Sequence, residues 1–317
     1  MKIIEGVENL AEGNRGSVVT IGNYDGVHLG HQRIIAELIK ESEARALKST
    51  VITFEPLPCE YFSPSDTVGR LTSIEERAEL LFDAGIEQVL CIRFDQHIAK
   101  QHPDEFVRST LVKGLGVGHL VIGDDFKFGH NREGDYAYLQ RAGQQLGFTV
   151  NDTESFEMKG VRVSSNAIRQ ALDAGDISTA EHYLGRPFIV GGPILKGDQL
   201  GHTIGFPTAN VDVGDRYLPI NGVFAAVVCI EESDTSKIGE CDWLDAVANI
   251  GTRPTVNGRD RRFEVHILDF DKNVYGKNLK VRFVERLRDE HKFDGLDELV
   301  TQINSDIEHA KKLFRKR

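Results

Sequence analysis

The first half of the chain alternates short β-branched runs with stretches of helical periodicity. Strands are predicted at 17–21, 50–54, 88–94 and 119–122, and helices near 34–39, 73–84 and 103–112. Near-continuous apolar strands separated by amphipathic helices predict an α/β domain whose parallel sheet is covered on both faces. Ligands in such sheets bind beyond the carboxyl ends of the strands. Loops that directly follow strands are therefore the first candidates for a site.

The second half has a different pattern. One helix is predicted at 165–172. A second, short helix is predicted after it, because Ser178 and Glu181 have the spacing of a capping box. Strands then follow one another without helices, at 188–195, 223–230, 244–249, 263–270 and 279–286. Five or six close-spaced strands predict a small antiparallel β-barrel, and the periodicity through Leu299, Ile303, Ile307 and Phe314 predicts a terminal helix. The length of 317 residues fits two domains, predicted at 1–185 and 186–317.

The charge balance narrows the function classes. Lysine and arginine number 38 and aspartate and glutamate 49, a net charge of −11 that disfavours bulk nucleic-acid binding. No run of apolar residues is long enough to cross a membrane, and residues 1–16 lack the apolar core of a signal peptide. The four cysteines are scattered and are expected to be reduced. We expect a cytoplasmic protein with no nucleic-acid or membrane partner, and a weak homo-oligomer stays open.

A histidine-containing loop, 22–31, follows the first predicted strand and opens a helix. His28 and His31 are three residues apart, so on a first helical turn they share one face. Backbone N–H groups at a helix start attract anions, and two imidazoles there can donate to a triphosphate and to a pyrophosphate leaving group. The spacing predicts adenylyl transfer. The alternative is a pair of capping or surface histidines.

Two further segments offer groups for a nucleotide. The run 123–129 follows a strand and carries Asp125 and Lys127, which suit a polar rim or a charged surface turn. Arg162, Ser164 and Ser165 precede a helix start, and Arg169 lies one turn inside it. This group can hold phosphates, or the serine can simply cap the helix. The predicted ATP-binding residues of this domain are Gly22, Asn23, Asp25, His28, Gly30, His31, Asp125, Arg162, Ser164, Ser165 and Arg169.

The barrel domain begins with a second phosphate-binding candidate. Glycines recur every fourth residue in 196–210, beside a lysine and a threonine, and flexible backbone with a cation can wrap a polyphosphate. Thr208 and Asn210 are two apart, so in an extended segment both offer oxygens on one face, suitable for Mg²⁺. The alternative is a glycine-rich barrel corner. The predicted residues are Lys196, Gly197, Gly201, Thr203, Gly205, Pro207, Thr208 and Asn210.

The HxGH loop resembles that of the nucleotidyltransferase superfamily. Together with TFEP at 53–56, VIGDDFKFG at 121–129, RVSSNAIR at 162–169 and GHTIGFPTAN at 201–210, the whole chain resembles the bacterial bifunctional riboflavin kinase/FMN adenylyltransferase (FAD synthetase) family. The resemblance implies a Rossmann-like nucleotidyltransferase domain followed by a riboflavin kinase-like barrel. It implies phosphorylation of riboflavin to FMN and adenylyl transfer to give FAD and pyrophosphate. ATP would be the co-substrate and Mg²⁺ the cofactor.

The resemblance also assigns residues. Thr208 and Asn210 match metal and nucleotide positions, and Glu264 matches the catalytic carboxylate, which can accept a proton from the riboflavin hydroxyl. A solvent-facing strand glutamate is the alternative for Glu264. Residues that match flavin-binding positions are Asn249, Arg253, Arg288, Glu290 and Phe293. Leu57, Asn166 and Phe224 depart from the residues often found in relatives.

Three other functions are weighed against this one. A catalytically silent flavin- or nucleotide-binding regulator, or a kinase active only in its barrel, would keep the fold and lose one or both reactions. A tRNA-charging protein would share the HxGH loop, but the chain has an acidic balance and no basic stripe.

Overall fold

The computed structural model describes residues 3–63, 68–196, 205–231, 242–255 and 258–316. The chain divides into two compact units, Met1–Ser165 and Asn166–Arg317. The two units divide after residue 165. The boundary predicted between the two functional domains, after residue 185, stays a prediction.

The first unit is built on a sheet of six parallel strands. They are β1 Ile3–Glu5, β2 Ser17–Ile21, β3 Lys48–Glu55, β4 Gln88–Arg93, β5 Val117–Gly123 and β6 Thr149–Thr153. Their order is β1-β4-β3-β2-β5-β6, with every neighbouring pair parallel. The predicted α/β domain is confirmed, and two strands were not predicted, β1 and β6.

Helices connect these strands. They are α1 Leu29–Arg45, α2 Pro58–Phe62, α3 Ile74–Asp83, α4 Gln96–Lys100, α5 Pro103–Phe106 and α6 Tyr136–Leu146. The helix predicted at 103–112 starts at Pro103, but it continues after Phe106 as a π-helical stretch, Val107–Gly114. Short 3₁₀ turns lie at Val7–Asn9, Glu12–Asn14 and His130–Arg132. A small hairpin pairs β7 Glu157–Met158 with β8 Val161–Arg162.

The strand order places a topological switch point beside β2. The chain steps from β2 to β3 and β4 on one side, and β5 then pairs with the other side of β2. All five residues of β2 are buried, and an apolar cluster covers each face of the sheet, one around Leu120 and the other around Leu38. In open α/β sheets the crevice at such a point is where ligands bind. The loops after β2 and β5 meet this condition.

The second unit contains two helices, a barrel and a terminal helix. The helices are α7 Ser165–Asp173 and α8 Ile177–Leu184. The capping box predicted from Ser178 and Glu181 is wrong, because α8 starts earlier and the side chain of Asp176 accepts the Thr179 N–H. Asp is as good an N-cap as Ser, so the spacing alone did not separate the two.

Six antiparallel strands close the barrel. They are β9 Ile189–Leu195, β10 Ala209–Val211, β11 Gly222–Glu231, β12 Leu244–Thr255, β13 Gly258–Ile267 and β14 Asn278–Arg288, in the order β10-β13-β12-β11-β14-β9. The terminal helix is α9 Leu296–Phe314, packed on β11, β12 and β14. The predicted barrel and terminal helix are confirmed. The strand predicted to reach Phe270 ends at Ile267, because Asp269 adopts a left-handed φ of 52° in the turn.

The cysteines differ from one another. Cys59 and Cys91 are free thiols, whereas Cys229 on β11 is disulfide-bonded. Cys241 lies outside the described residues. The expectation that all four cysteines are reduced is therefore wrong for Cys229.

Candidate functional sites

The two histidines of the loop after β2 lie against each other. Their rings stack with centroids 3.6 Å apart and an 18° angle between planes. His28 is the N-cap of α1 rather than part of its first turn, since its Nδ1 accepts the His31 N–H at 3.3 Å. With Nδ1 accepting, the proton of a neutral His28 ring lies on Nε2, which is a hydrogen-bond donor. His28 can therefore cap the helix through Nδ1 and at the same time donate a hydrogen bond to a phosphate through Nε2.

A tyrosine supports this pair from the core. Tyr24 is buried, its hydroxyl lies 2.6 Å from Thr20 Oγ1, and its ring lies 4.8 Å from that of His31. Burial raises the pKa of Tyr24, so the hydroxyl stays neutral. Tyr24 adopts a positive φ of 50°, which is strained for a residue with a bulky side chain. Such strain persists only where the surroundings fix the conformation.

Asp25 anchors the same loop from below. Asp25 is 1% exposed, and its carboxylate accepts the Leu71 N–H at 3.1 Å, the Thr72 N–H at 2.9 Å and the Thr72 hydroxyl at 3.0 Å. The Gly26 N–H donates to Thr72 Oγ1 at 3.0 Å. These bonds give Asp25 a positioning role that sequence reasoning missed. The nucleotide contact suggested for Asp25 stays a prediction.

The serine motif reaches the histidine loop. Ser165 Oγ donates to the Asp25 carbonyl at 2.9 Å. A Cβ on Gly30 would lie 3.1 Å from the His28 ring and 3.2 Å from the Val163 carbonyl. Gly30 therefore allows the serine motif to approach the helix start, a contact within the protein that sequence reasoning had assigned to a ligand.

The polar rim after β5 is organised by ion pairs. Arg162 and Asp125 are both half-exposed or more and join at 2.7 Å. Lys127 instead bonds Asp135 at 3.1 Å, at the start of α6. In the second unit, the Arg169 guanidinium donates to Asn166 Oδ1 at 3.0 Å. The structure thus joins Arg162 to Asp125, and Ser165 to the histidine loop.

An aromatic cluster at the carboxyl ends of β3 and β4 was not predicted. Phe94 lies 5.4–5.7 Å from the rings of Phe54, Tyr61 and Phe62, all at steep angles. Phe62 is 65% exposed, which is unusual for a large apolar side chain. No periodicity signals this cluster, because α2 is only five residues long. The exposed ring of Phe62 gives this cluster a face on which a flat ring system can pack.

In the barrel, residues far apart in sequence meet in one row. Glu264 on β13 pairs with Asn210 on β10 and with Asn249 on β12. These three are half-buried, whereas their neighbours Ala209 and Val265 are buried in the barrel core. Directly opposite residues in an antiparallel pair point to the same face. Glu264 therefore lies on the outer face of an interior strand, between two carboxamides.

This row carries two signs of a functional site. The Oδ1 of Asn249 is buried and has no hydrogen-bond partner within the described part of the chain. A buried acceptor without a partner is costly unless a ligand or water fills the position. Arg262, two residues before Glu264, places a guanidinium nitrogen 3.4 Å from Glu264 Oε1. Charge, amide and carboxylate thus converge within one outer surface.

The remaining predicted flavin residues lie near the barrel end. Glu290 lies so close to Gly251 of β12 that a Cβ there would be 1.8 Å from its Oε1. Arg288 on β14 pairs with Val223 on β11, which in turn pairs with Asn249 of the row. The Arg288 guanidinium, however, bonds the Asp306 carboxylate of α9 at 2.9–3.1 Å. Arg288 also lies 5.6 Å above the Phe293 ring. Arg288 is thus held by the terminal helix.

The predicted phosphate segment is only partly described. Gly197, Gly201 and Thr203 lie outside the described residues, as does the side chain of Arg253. Lys196 is exposed and follows β9, whose last residue, Leu195, pairs with Asn210. Thr208 directly precedes β10. The Thr208 hydroxyl and the side-chain oxygen of Asn210, which pairs with Glu264, are hard donors of the kind that fits Mg²⁺ held jointly with phosphates.

Comparison with known proteins identifies a family for each half of the chain. Residues 10–167 match the FAD synthetase family model and residues 184–314 the riboflavin kinase model. The bifunctional riboflavin kinase/FMN adenylyltransferase of Escherichia coli K12 is 43% identical over 99% of this chain and 98% of its own. That of Haemophilus influenzae is 41% identical over 99% of both chains.

A solved structure agrees with the fold. A Streptococcus pneumoniae chain described as a macrolide-efflux protein superposes with a TM-score of 0.82 at 29% identity, over 98% of this chain and 99% of its own. Within the described residues, none of the helices has the length and apolar character that a bilayer crossing requires. On the two family models and the full-length identity, this chain belongs to the family of bifunctional riboflavin kinase/FMN adenylyltransferases.

Proposed function

We propose that the two reactions of the family are carried by separate sites in this chain, which convert riboflavin to FMN and then FMN to FAD. The observation that supports this most directly is the row Asn210, Glu264 and Asn249 in one compact unit and the stacked His28 and His31 in the other. The domain boundaries proposed for the two activities are 1–185 and 186–317.

In the adenylyl transfer, a phosphate oxygen of FMN forms a bond to the α-phosphorus of ATP. The bond from that phosphorus to the α–β bridging oxygen breaks, and pyrophosphate leaves with the electron pair. The attacking phosphate is largely ionised near neutral pH, since its second pKa is about 6, so no general base is needed. We assign His28 Nε2–H and the His31 ring to the developing negative charge on the leaving group. Arg162 and Ser164 would bind other phosphate oxygens.

We assign the flavin ring of FMN to the aromatic cluster of Phe54, Tyr61, Phe62 and Phe94, in which Phe62 is exposed and the other three are half-buried. The cluster lies at the carboxyl ends of β3 and β4, the edge of the sheet from which the histidine loop also extends. Aromatic stacking would hold the isoalloxazine while the phosphate reaches the switch point. Substituting Phe62 by Ala should raise the KM for FMN and leave the KM for ATP nearly unchanged.

In the kinase reaction, the ribityl 5′-hydroxyl oxygen of riboflavin forms a bond to the γ-phosphorus of ATP. The bond from that phosphorus to the β–γ bridging oxygen breaks, ADP leaves, and the hydroxyl proton passes to the Glu264 carboxylate. We assign Asn249 to the ribityl chain as a hydrogen-bond acceptor, because its buried Oδ1 has no partner within the described part of the chain. Thr208 and Asn210 would hold Mg²⁺, which neutralises phosphate charge when bound.

The experiment that tests both assignments follows riboflavin, FMN and FAD by chromatography in one reaction with ATP and Mg²⁺. His31→Ala should still form FMN but make FAD at least about a hundredfold more slowly, the usual cost of removing one charge-stabilising donor. Glu264→Gln should lose riboflavin phosphorylation by about 10²–10⁴-fold and still convert added FMN. His97→Ala and Glu285→Gln, exposed residues of the same units, serve as matched controls.

The outcomes separate the alternatives. Loss of both products in either variant would contradict independent sites. FMN formation without any FAD in the wild-type chain would support a kinase active only in its barrel. Binding of flavin and ATP without turnover would support the silent regulator.

A further inference from the structure

His266 is a side chain of the barrel to which the proposed chemistry gives no task. It lies on β13, two residues after Glu264, and is half-buried. Residues two apart on a strand point to the same face, so His266 and Glu264 share the outer surface of the barrel. His266 therefore lies next to the proposed reaction centre, on the side toward the segment that precedes β10.

The His266 ring holds this segment through a hydrogen bond. Its Nδ1 lies 2.8 Å from the carbonyl oxygen of Pro207. A carbonyl can only accept, so Nδ1 carries the proton and donates it. The ring also meets the Phe206 ring edge to face, at 5.9 Å and 81°. One side chain thus contacts two consecutive residues before β10.

This bond continues the strand pairing where the backbone ladder stops. The β10–β13 pairs are Asn210 with Glu264 and Ala209 with Val265. Thr208 would come next, opposite His266, and the contact there is made by the imidazole to the preceding residue, Pro207. The position of Thr208 relative to Glu264 is therefore fixed from both sides, by the β10 ladder and by His266.

We propose that His266 is a positioning residue for phosphoryl transfer. By donating to the Pro207 carbonyl, it holds the oxygens of Thr208 and Asn210 at a set distance from Glu264. This inference rests on the kinase site proposed above. A loosened segment should weaken use of Mg·ATP and leave riboflavin binding unchanged, because the contact lies on the nucleotide side of Glu264.

Three substitutions of His266 distinguish the two ring nitrogens. The side-chain amide of His266→Asn can occupy the Nδ1 position and donate to Pro207, whereas that of His266→Gln reaches the Nε2 position. His266→Ala has neither donor. Loss of one hydrogen bond of this kind corresponds to roughly a tenfold effect. We expect the KM for Mg·ATP in riboflavin phosphorylation to rise about tenfold in the Ala and Gln variants. It should stay within about twofold of wild type in the Asn variant.

The chain supplies its own controls. His182 on α8 makes the same kind of contact, with Nδ1 2.6 Å from the Ser178 carbonyl, on an exposed surface. His182→Ala should leave the KM for Mg·ATP unchanged. Conversion of added FMN to FAD by the same preparations checks that the chain is intact.

The outcomes decide the proposal. Equal KM values for Mg·ATP in the Asn and Gln variants, or an equal rise in the KM for riboflavin, would overturn the positioning role. If His266→Ala does not fold, the Asn–Gln comparison still decides. Full riboflavin phosphorylation by Glu264→Gln would instead show that the kinase site is misplaced. That result is separate from any result at His266.

Discussion

Asp25 offers a sharp test of how the histidine loop is held. Its Oδ1 accepts three hydrogen bonds, from two backbone N–H groups and the Thr72 hydroxyl, and its charge also compensates the fully buried Arg77. Asp25→Asn keeps the shape and one oxygen but removes the charge. Hydrogen bonds to charged groups contribute roughly 1 kcal/mol more each than neutral ones, so for three bonds we expect a loss of about 3 kcal/mol, and a larger loss for Asp25→Ala, which removes the bonds altogether.

The assay can assign the loss to the first unit. The single tryptophan, Trp243, lies in the barrel unit, so its fluorescence reports unfolding there, whereas far-UV circular dichroism reports both units. A loss of about 3 kcal/mol should lower the midpoint of the circular dichroism transition by about 6–12 °C in a unit of this size. The Trp243 transition should not move. The rate of FAD formation should fall because the histidine loop is held less firmly, and riboflavin phosphorylation should be retained.

A matched control is Asp124→Asn. Asp124 is exposed, and hydrogen bonds from Ser155 outweigh its small burial and lower the pKa of Asp124. Its neutralisation should cost no more than about 0.5 kcal/mol. If Asp25→Asn lost less than about 0.5 kcal/mol of stability, or lost as much as Asp124→Asn, that result would refute the idea that the buried carboxylate holds the loop.

Three more predictions follow from other parts of the molecule. Burial, with Arg45 nearby, lowers the pKa of His119 below 6.5, so the folded state resists protonation, and stability should fall as the pH drops below about 6.5. In urea titrations His119→Gln should lose less stability than wild type between about pH 6.5 and 5. Burial raises the pKa of the Cys91 thiol to about 11, so iodoacetamide at pH 8 should label Cys59 first, as mass spectrometry of the digests would show. Gly251→Ala would force the Glu290 carboxylate away, so the KM for riboflavin should rise while that for ATP stays unchanged.

The fold could be predicted where one residue type dominates a segment. The strands around 17–21 and 88–93 are near-continuous apolar runs buried on both faces, which is the pattern of a parallel sheet. Strand β6 reads TVNDT, with one buried residue, because it lies at the sheet edge and its polar side chains carry no such pattern. Strand β10 has three residues, too few for periodicity to reveal.

The candidate sites could be predicted as residues but not as arrangements. Spacing correctly selects His28 and His31 as neighbours, yet not that one caps the helix and stacks on the other. The row of Asn210, Glu264 and Asn249 depends on strand register, which closure of the barrel and burial of alternate residues determine. The disulfide of Cys229 carries no local signal in the sequence either.

The outer-face row has a consequence for how the barrel acquires activity. A one-residue slip of β13 against its neighbours would turn Glu264 into the core and expose Val265, so the misaligned form would be both unstable and inert. Phosphorylation of riboflavin therefore reports that β13 has reached its native strand register. A collapsed barrel whose strands are not yet in native register would show β-structure but no phosphorylation. The rate at which FMN formation appears during refolding would then measure when the native register forms.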